Sequence, residues 1–211
     1  MTDAALGYIR DRWCLDTTQP SPIQIPNTTR EVDLPEMFYE LGYRVGAEIG
    51  TLGGAYANKL KRSNPDLILY CVDPWEVYDG MQQFLGWEKL PKFFDEVQRR
   101  MREFSGVHLV RRKSMDAVND FADNSLDFVH IDANHELPYV TEDIFYWSKK
   151  VRPGGIVSGH DYKTSRDQPK VWHNDIRGAV LGYTDAYNID PWFVMDECTN
   201  KRPGSFLWVK T

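Results

Sequence analysis

Two acids and two histidines stand just beyond short apolar runs, close enough in kind and spacing to do chemistry together. Asp132 follows Leu126–Ile131, with His135 three residues on, and His160-Asp161 follows Ile156–Ser158. Runs of this length bounded by turn residues read as buried strands. Neighbouring parallel strands lie about 5 Å apart, so Asp132 and Asp161 can converge on one cation. Hard oxygen donors suit Mg²⁺ or Ca²⁺, and His160 beside Asp161 opens the set to Mn²⁺ or Zn²⁺. His135, with an ordinary pKa of about 6.5, is able to take a proton from a hydroxyl at neutral pH. The plainer reading is a loop histidine capping the helix that begins at Pro138. His130 falls inside a strand and reads as structural, whereas His173, beside Trp172, is a candidate to touch a substrate.

A second constellation lies between Arg44 and Asp73. Arg44–Ile49 reads as a strand, Gly50, Gly53 and Gly54 as a glycine-rich turn, and Leu67–Val72 as a second strand ending in Asp73. Residues without a β-carbon let the chain turn sharply and lie close against a ligand. A carboxylate at the tip of the second strand can accept both hydroxyls of a ribose. A nucleoside-containing cofactor follows. The dinucleotide fingerprint G-x-G-x-x-G is absent, because the offsets from Gly50 give Leu52 and Ala55.

The elements that must carry these residues alternate. Helices are expected over Gly54–Arg62, Glu88–Phe104, Met115–Phe121 with Ser114 as N-cap, Pro138–Lys149 with proline in its first turn, and Asn174–Tyr187. Val107–Val110 is the third strand, Pro153-Gly154-Gly155 a turn before the fifth. Trp192–Met195 and Ser205–Val209 have no helix between them and read as an antiparallel hairpin. The fold class is therefore α/β, a Rossmann-like sheet of seven strands, mostly parallel with a C-terminal antiparallel hairpin and helices on both faces. Upstream, Ala4–Cys14 and Pro35–Leu41 read as helices and the proline-rich Thr17–Thr29 as an extended connector. Residues 1–43 are thus a cap or oligomer contact, and 44–211 the main domain. Trp75, Tyr78, Met81, Phe84 and Trp87 are either a lid over a ligand or an amphipathic helix on the sheet.

Composition bounds the partners. The 211 residues suit one α/β domain, and the net charge of −6 without a basic face argues against a duplex nucleic acid. Three separated cysteines, Cys14, Cys71 and Cys198, offer neither a disulfide framework nor a cysteine-built zinc site. With no signal peptide and no apolar run long enough to span a membrane, a cytoplasmic protein without a membrane partner is expected.

The motifs together resemble a known family. Glu48-x-Gly50-x-x-x-Gly54 and Val72-Asp73-Pro74-Trp75 are similar to the first two motifs of class I S-adenosylmethionine (SAM)-dependent methyltransferases. Val129–His135, Val151–Gly155 and Gly159-His160-Asp161-Tyr162 resemble one branch of it, methyltransferase family 24, the small enzymes related to macrolide sugar O-methyltransferases. The resemblance covers residues 44–211. It implies SAM as cofactor, a small-molecule acceptor methylated on a hydroxyl, Glu48 near the methionine amino group, Gly50, Gly54 and Asp73 around the nucleoside, and Ser114 and Met115 at the adenine, with Met115 packed on the base. It further implies His135 as general base, with Asp132 and Asp161 positioning the acceptor and Asp132 also close to the cofactor. Asp132, Asp161 and His160 would hold a divalent metal. The chain departs from the metal-binding pattern in having His160 beside Asp161, where a second acid would strengthen the site. Nitrogen or macromolecular acceptors remain as alternatives, although Asp132-Ala133-Asn134-His135 replaces the usual amino-methyltransferase motif. A non-catalytic nucleoside-binding or interaction module is a further alternative.

Overall fold

A computed structural model describes residues 2–78, 89–162, 174–195 and 204–211. Among them, a single sheet of eight strands runs in the order β1-β7-β8-β6-β5-β2-β3-β4. The strands are β1 (Ile23–Ile25), β2 (Val45–Ile49), β3 (Ile68–Val72), β4 (Val107–Val110), β5 (Leu126–Ile131), β6 (Val151–Tyr162), β7 (Trp192–Met195) and β8 (Gly204–Val209). The helices are α1 (Thr2–Trp13), α2 (Asp33–Glu40), α3 (Ala55–Ser63), α4 (Leu90–Met101), α5 (Ser114–Ala117), α6 (Leu137–Lys150) and α7 (Ile176–Ala186). All pairings are parallel except those of β8 with β6 and β7.

The sheet has eight strands, not the expected seven, because the proline-rich connector supplies β1. Ile23 and Ile25 are buried and Gln24 between them is exposed, so the strand alternates as an edge strand should. It pairs parallel to β7 through Ile23 and Phe193, and its flanking Pro22 and Pro26 are tolerated because it is an edge. The fifth strand of the alternation, β6, is also longer than Ile156–Ser158. Its expected turn at Pro153-Gly154-Gly155 remains paired with the chain's tail, Gly154 donating to Lys210 O at 2.7 Å and Lys210 to Gly155 O at 2.8 Å.

Two apolar layers cover the sheet. One joins Ile9, Met37, Phe38, Ala57, Leu60 and Val97 of α1–α4 to the strand face bearing Leu69, Phe128 and Leu207. The other joins Val140, Ile144 and Trp147 of α6, and Val180 of α7, to Ala47, Ile49, Val129 and Trp208. β5, β7 and β8 are buried on both sides, as strands with helices on both faces must be. The carboxyl ends of β2, β3 and β5 then point to one rim, where ligands of such sheets bind.

Candidate active site

A cavity of about 550 Å³ opens on that rim, lined by Glu48, Gly50, Asp73, Ser114, Met115, Asp132 and His135 among others. Seven sequence-predicted residues thus share one space. Of the other three, Gly54 starts α3 with φ of 72°, and a β-carbon there would meet Val97 Cγ2 at 2.6 Å. Its place is against α4, outside the cavity lining. His160 and Asp161 stand beside the lining, at the end of β6.

The glycine-rich turn is fastened by Asp73. Its Oδ2 accepts from Leu52 N at 2.9 Å and its Oδ1 from Trp75 N at 2.7 Å, while Trp75 Nε1 donates to Leu52 O at 2.7 Å. Burial pushes the Asp73 carboxyl up, against the two backbone N–H groups that favour its charge. Gly50 has φ of 93°, and a β-carbon there would lie 2.1 Å from Asp132 O. The glycine therefore serves first to bring the ends of β2 and β5 together, bonded by Asp132 N to Ile49 O at 2.8 Å.

Glu48 is the penultimate residue of β2, with 2% exposure. Burial pushes its carboxyl up to about 8, and Oε2 has no hydrogen-bond partner among the described residues. A buried acceptor lacking a donor is costly unless a ligand supplies one.

At the reactive end, His135 Nε2 lies 3.4 Å from Asp132 Oδ1 and His135 Nδ1 lies 3.5 Å from Asp161 Oδ2. Suitable ligand atoms of Asp132, His135 and Asp161 all fall within 4.8 Å of one another. His160 Nδ1 stands 3.5 Å from Asp161 Oδ1 and 3.9 Å from Asp132 Oδ2. Bonds of about 2.1 Å to one small cation place its ligands about 3–4 Å apart; His135 joins the two acids in such a cluster, whereas His160 stands beside it. Burial would raise the Asp132 pKa, but the His135 hydrogen bond and the Arg30 charge hold it well below the usual carboxylate range. Asp161 itself adopts a positive φ of 56°, with its carbonyl held by Asn174 Nδ2 at 3.3 Å. Such strained backbone clusters at functional sites.

His130 is structural, as its strand position implied. It is fully buried with Nδ1 3.1 Å from Ser158 Oγ, and burial drives its pKa well down. Ser114 does not cap α5. Lys113 is the N-cap residue and no side chain caps it, while the Ser114 hydroxyl donates to Asp143 Oδ1 and accepts from Trp147 Nε1 at 2.7 Å. Of the aromatic segment after Asp73, Tyr78 lines the cavity; Met81, Phe84 and Trp87 lie outside the described residues, as do Trp172 and His173.

Among the cavity residues that escaped the sequence reading, two make side-chain contacts with predicted ones. Arg30 Nη1 donates to Asp132 Oδ2 at 2.6 Å, and its guanidinium lies 5.2 Å from the Tyr56 ring centroid. Nothing in its proline-rich neighbourhood signals a partner 102 positions away. Asp143 did leave a signal: it shares the spacing of Val140, Ile144 and Trp147, an acid on the apolar face of a helix.

A family model described as a methyltransferase domain matches residues 47–162. The uncharacterized protein y4gI of Sinorhizobium fredii is 30% identical over 103 residues, 49% of this chain and 11% of that protein. The chain therefore spans about a ninth of the length of this curated relative. Among solved structures, cofactor-bound Rv0187 from MTB aligns with a TM-score of 0.63 at 17% identity, over 98% of this chain and 88% of that one. The O-methyltransferase TomG of Streptomyces achromogenes, solved in complex with SAM, aligns with a TM-score of 0.61 at 20% identity, over 100% and 89%. These two likenesses show a common fold, and the site's residues stand where such a fold binds ligands. The family model matches more than half of the sequence, and the chain belongs to this family of methyltransferase domains.

Proposed function

We propose that the chain transfers a methyl group from SAM to a small-molecule acceptor, by preference to a hydroxyl. The observation that carries this is the buried Glu48 Oε2, without a partner among the described residues, in one cavity with Asp73 and His135. Bound there, SAM supplies an electrophilic methyl on a sulfonium. Glu48 would hold the methionine ammonium, Asp73 the ribose hydroxyls, and Met115 would pack on the base.

His135 would take the acceptor's proton, and the imidazolium that results is held between Asp132 Oδ1 and Asp161 Oδ2. Such a base contributes about 10²–10⁴-fold. Asp132 and Asp161 would also orient the acceptor, which is the larger part of catalysis when a methyl must meet its nucleophile in line. Asp132 and Asp161, with His160 beside them, would hold a divalent cation such as Mg²⁺, whose chemistry there would be to lower the acceptor pKa. From residues 1–43, which also supply β1 and part of the core, Arg30 would close one side of this site by reaching Asp132.

The test is label transfer from methyl-labelled SAM to a panel of sugar diols, catechols and amines, with and without Mg²⁺. Label on a hydroxyl compound, lost in His135→Ala while SAM still binds, supports the reading. Label on amines alone would replace it by nitrogen methylation.

A further inference from the structure

We infer that Arg30 is a resident counter-ion of the acid cluster and competes with a divalent cation for Asp132. This rests on the cation reading of Asp132 and Asp161 above.

A cationic group of the chain already holds the carboxylate that such an ion would need. Arg30 Nη1 donates to Asp132 Oδ2 at 2.6 Å. Asp132 is also one of the three residues, with His135 and Asp161, whose ligand atoms lie within 4.8 Å of one another. One carboxylate therefore serves two cationic partners. A hydrogen bond between ionised groups is a strong one, and a dication must either displace it or tolerate a like charge beside it. The carboxylates of Asp132 and Asp161 are the cluster's two negative charges, and Arg30 offsets one of them. Cation affinity at oxygen sites follows the charge of the ligand set.

The protein holds the guanidinium in place from its other sides. Its Cζ lies 5.2 Å from the Tyr56 ring centroid, and the Tyr56 and His130 rings pack with centroids 4.4 Å apart. The partners of His130 set its tautomer. Ser158 Oγ donates its one proton to Val129 O at 3.1 Å, so His130 Nδ1–H donates to Ser158 Oγ, also at 3.1 Å. Nε2 then carries the lone pair and accepts from Arg30 Nη1 at 3.3 Å; a proton there would set donor against donor. His130 is thus a positioning residue that aims Arg30 at Asp132. Arg30 itself precedes the residues matched by the methyltransferase-domain family, so the device belongs to this chain's own N-terminal segment.

The experiment titrates Mn²⁺, without cofactor, into the wild-type chain, Arg30→Gln, Arg30→Lys and the double variant Arg30→Gln with Asp161→Asn. Calorimetry and the free-ion EPR signal read the affinity, and thermal melts report the fold. Arg30→Gln removes the charge and keeps a donor, and should bind Mn²⁺ at least about tenfold more tightly than wild type. Arg30→Lys, which keeps the charge, should stay within about threefold of wild type, and the double variant should lose the gain. Unchanged or weaker binding by folded Arg30→Gln would overturn the inference, as would an equal gain in Arg30→Lys. Absence of binding by both wild type and Arg30→Gln would overturn the cation reading as well, whereas equal binding by both overturns the inference alone. If Arg30→Gln does not fold, ¹⁵N NMR of the wild-type arginine side chains decides, with the Arg30 signal assigned from Arg30→Lys. Movement of that signal on addition of Mg²⁺ would support the competition, and a signal unmoved across the titration would overturn it.

Discussion

Arg30 and Asp132 are 102 positions apart and meet at 2.6 Å on the floor of the cavity. The contact ties the segment before α2 to the end of β5, with side chains only 17% and 22% exposed. It leaves Asp132 charged and fixes Oδ2, so that Oδ1 faces His135.

Arg30→Ala should therefore cost stability and turnover together. Removing one partner of a largely shielded pair costs about 1–3 kcal/mol, less than for a fully buried pair because some solvent reaches it. For a chain of this size, that is a fall in Tm of about 2–10 °C. The turnover loss should exceed tenfold and be partly restored by Arg30→Lys. Melting curves and initial rates of label transfer from methyl-labelled SAM check both.

Gly50→Ala should prevent a normal fold at the rim. The added β-carbon would meet Asp132 O at 2.1 Å and force an L side chain to φ of 93°. Overpacking and a disfavoured dihedral together cost about 3 kcal/mol or more. Gly178→Ala is the control: nothing lies within 4 Å of its β-carbon position inside α7, and alanine there should stabilise by about 0.5–1 kcal/mol. Denaturant unfolding of the two variants should move in opposite directions.

Much of this architecture was legible. β5 and β7 match the apolar runs residue for residue, because strands buried on two faces are continuously hydrophobic, and the short edge strand β4 matches as well. β1 was not, since three residues between prolines are too few to establish a period, and only pairing with β7 makes them a strand. The rim acids and His135 were legible because the ends of strands are fixed by the strands themselves. Arg30 was not, because its role depends on a contact across the fold. Ser114 misled: its side chain serves Asp143 on another helix in preference to its own backbone, a tertiary choice that local capping rules do not contain.

Glu48→Gln should weaken the chain's dependence on pH in one window. With its pKa pushed up to about 8 by burial, folded Glu48 keeps a proton that the unfolded chain releases near the ordinary carboxylate pKa. Stability is therefore lost as pH rises between those values. Asp143, at about 7, acts in the same sense, but it is present in both proteins. The ligand-free variant should melt higher than wild type at pH 8.5, with the gap closing by pH 5. It should also bind SAM more weakly, because the amide cannot neutralise an ammonium. Differential scanning fluorimetry across pH, with and without SAM, reads both effects.

The most direct measurement is calorimetric titration of SAM and S-adenosylhomocysteine into the wild-type chain and Asp73→Ala. Micromolar binding, weakened at least about tenfold in the variant by loss of two hydrogen bonds to the ribose, is the predicted result. Absence of binding to the wild type, or equal affinity in Asp73→Ala with its fold intact, would contradict the placement of a nucleoside on the glycine-rich turn.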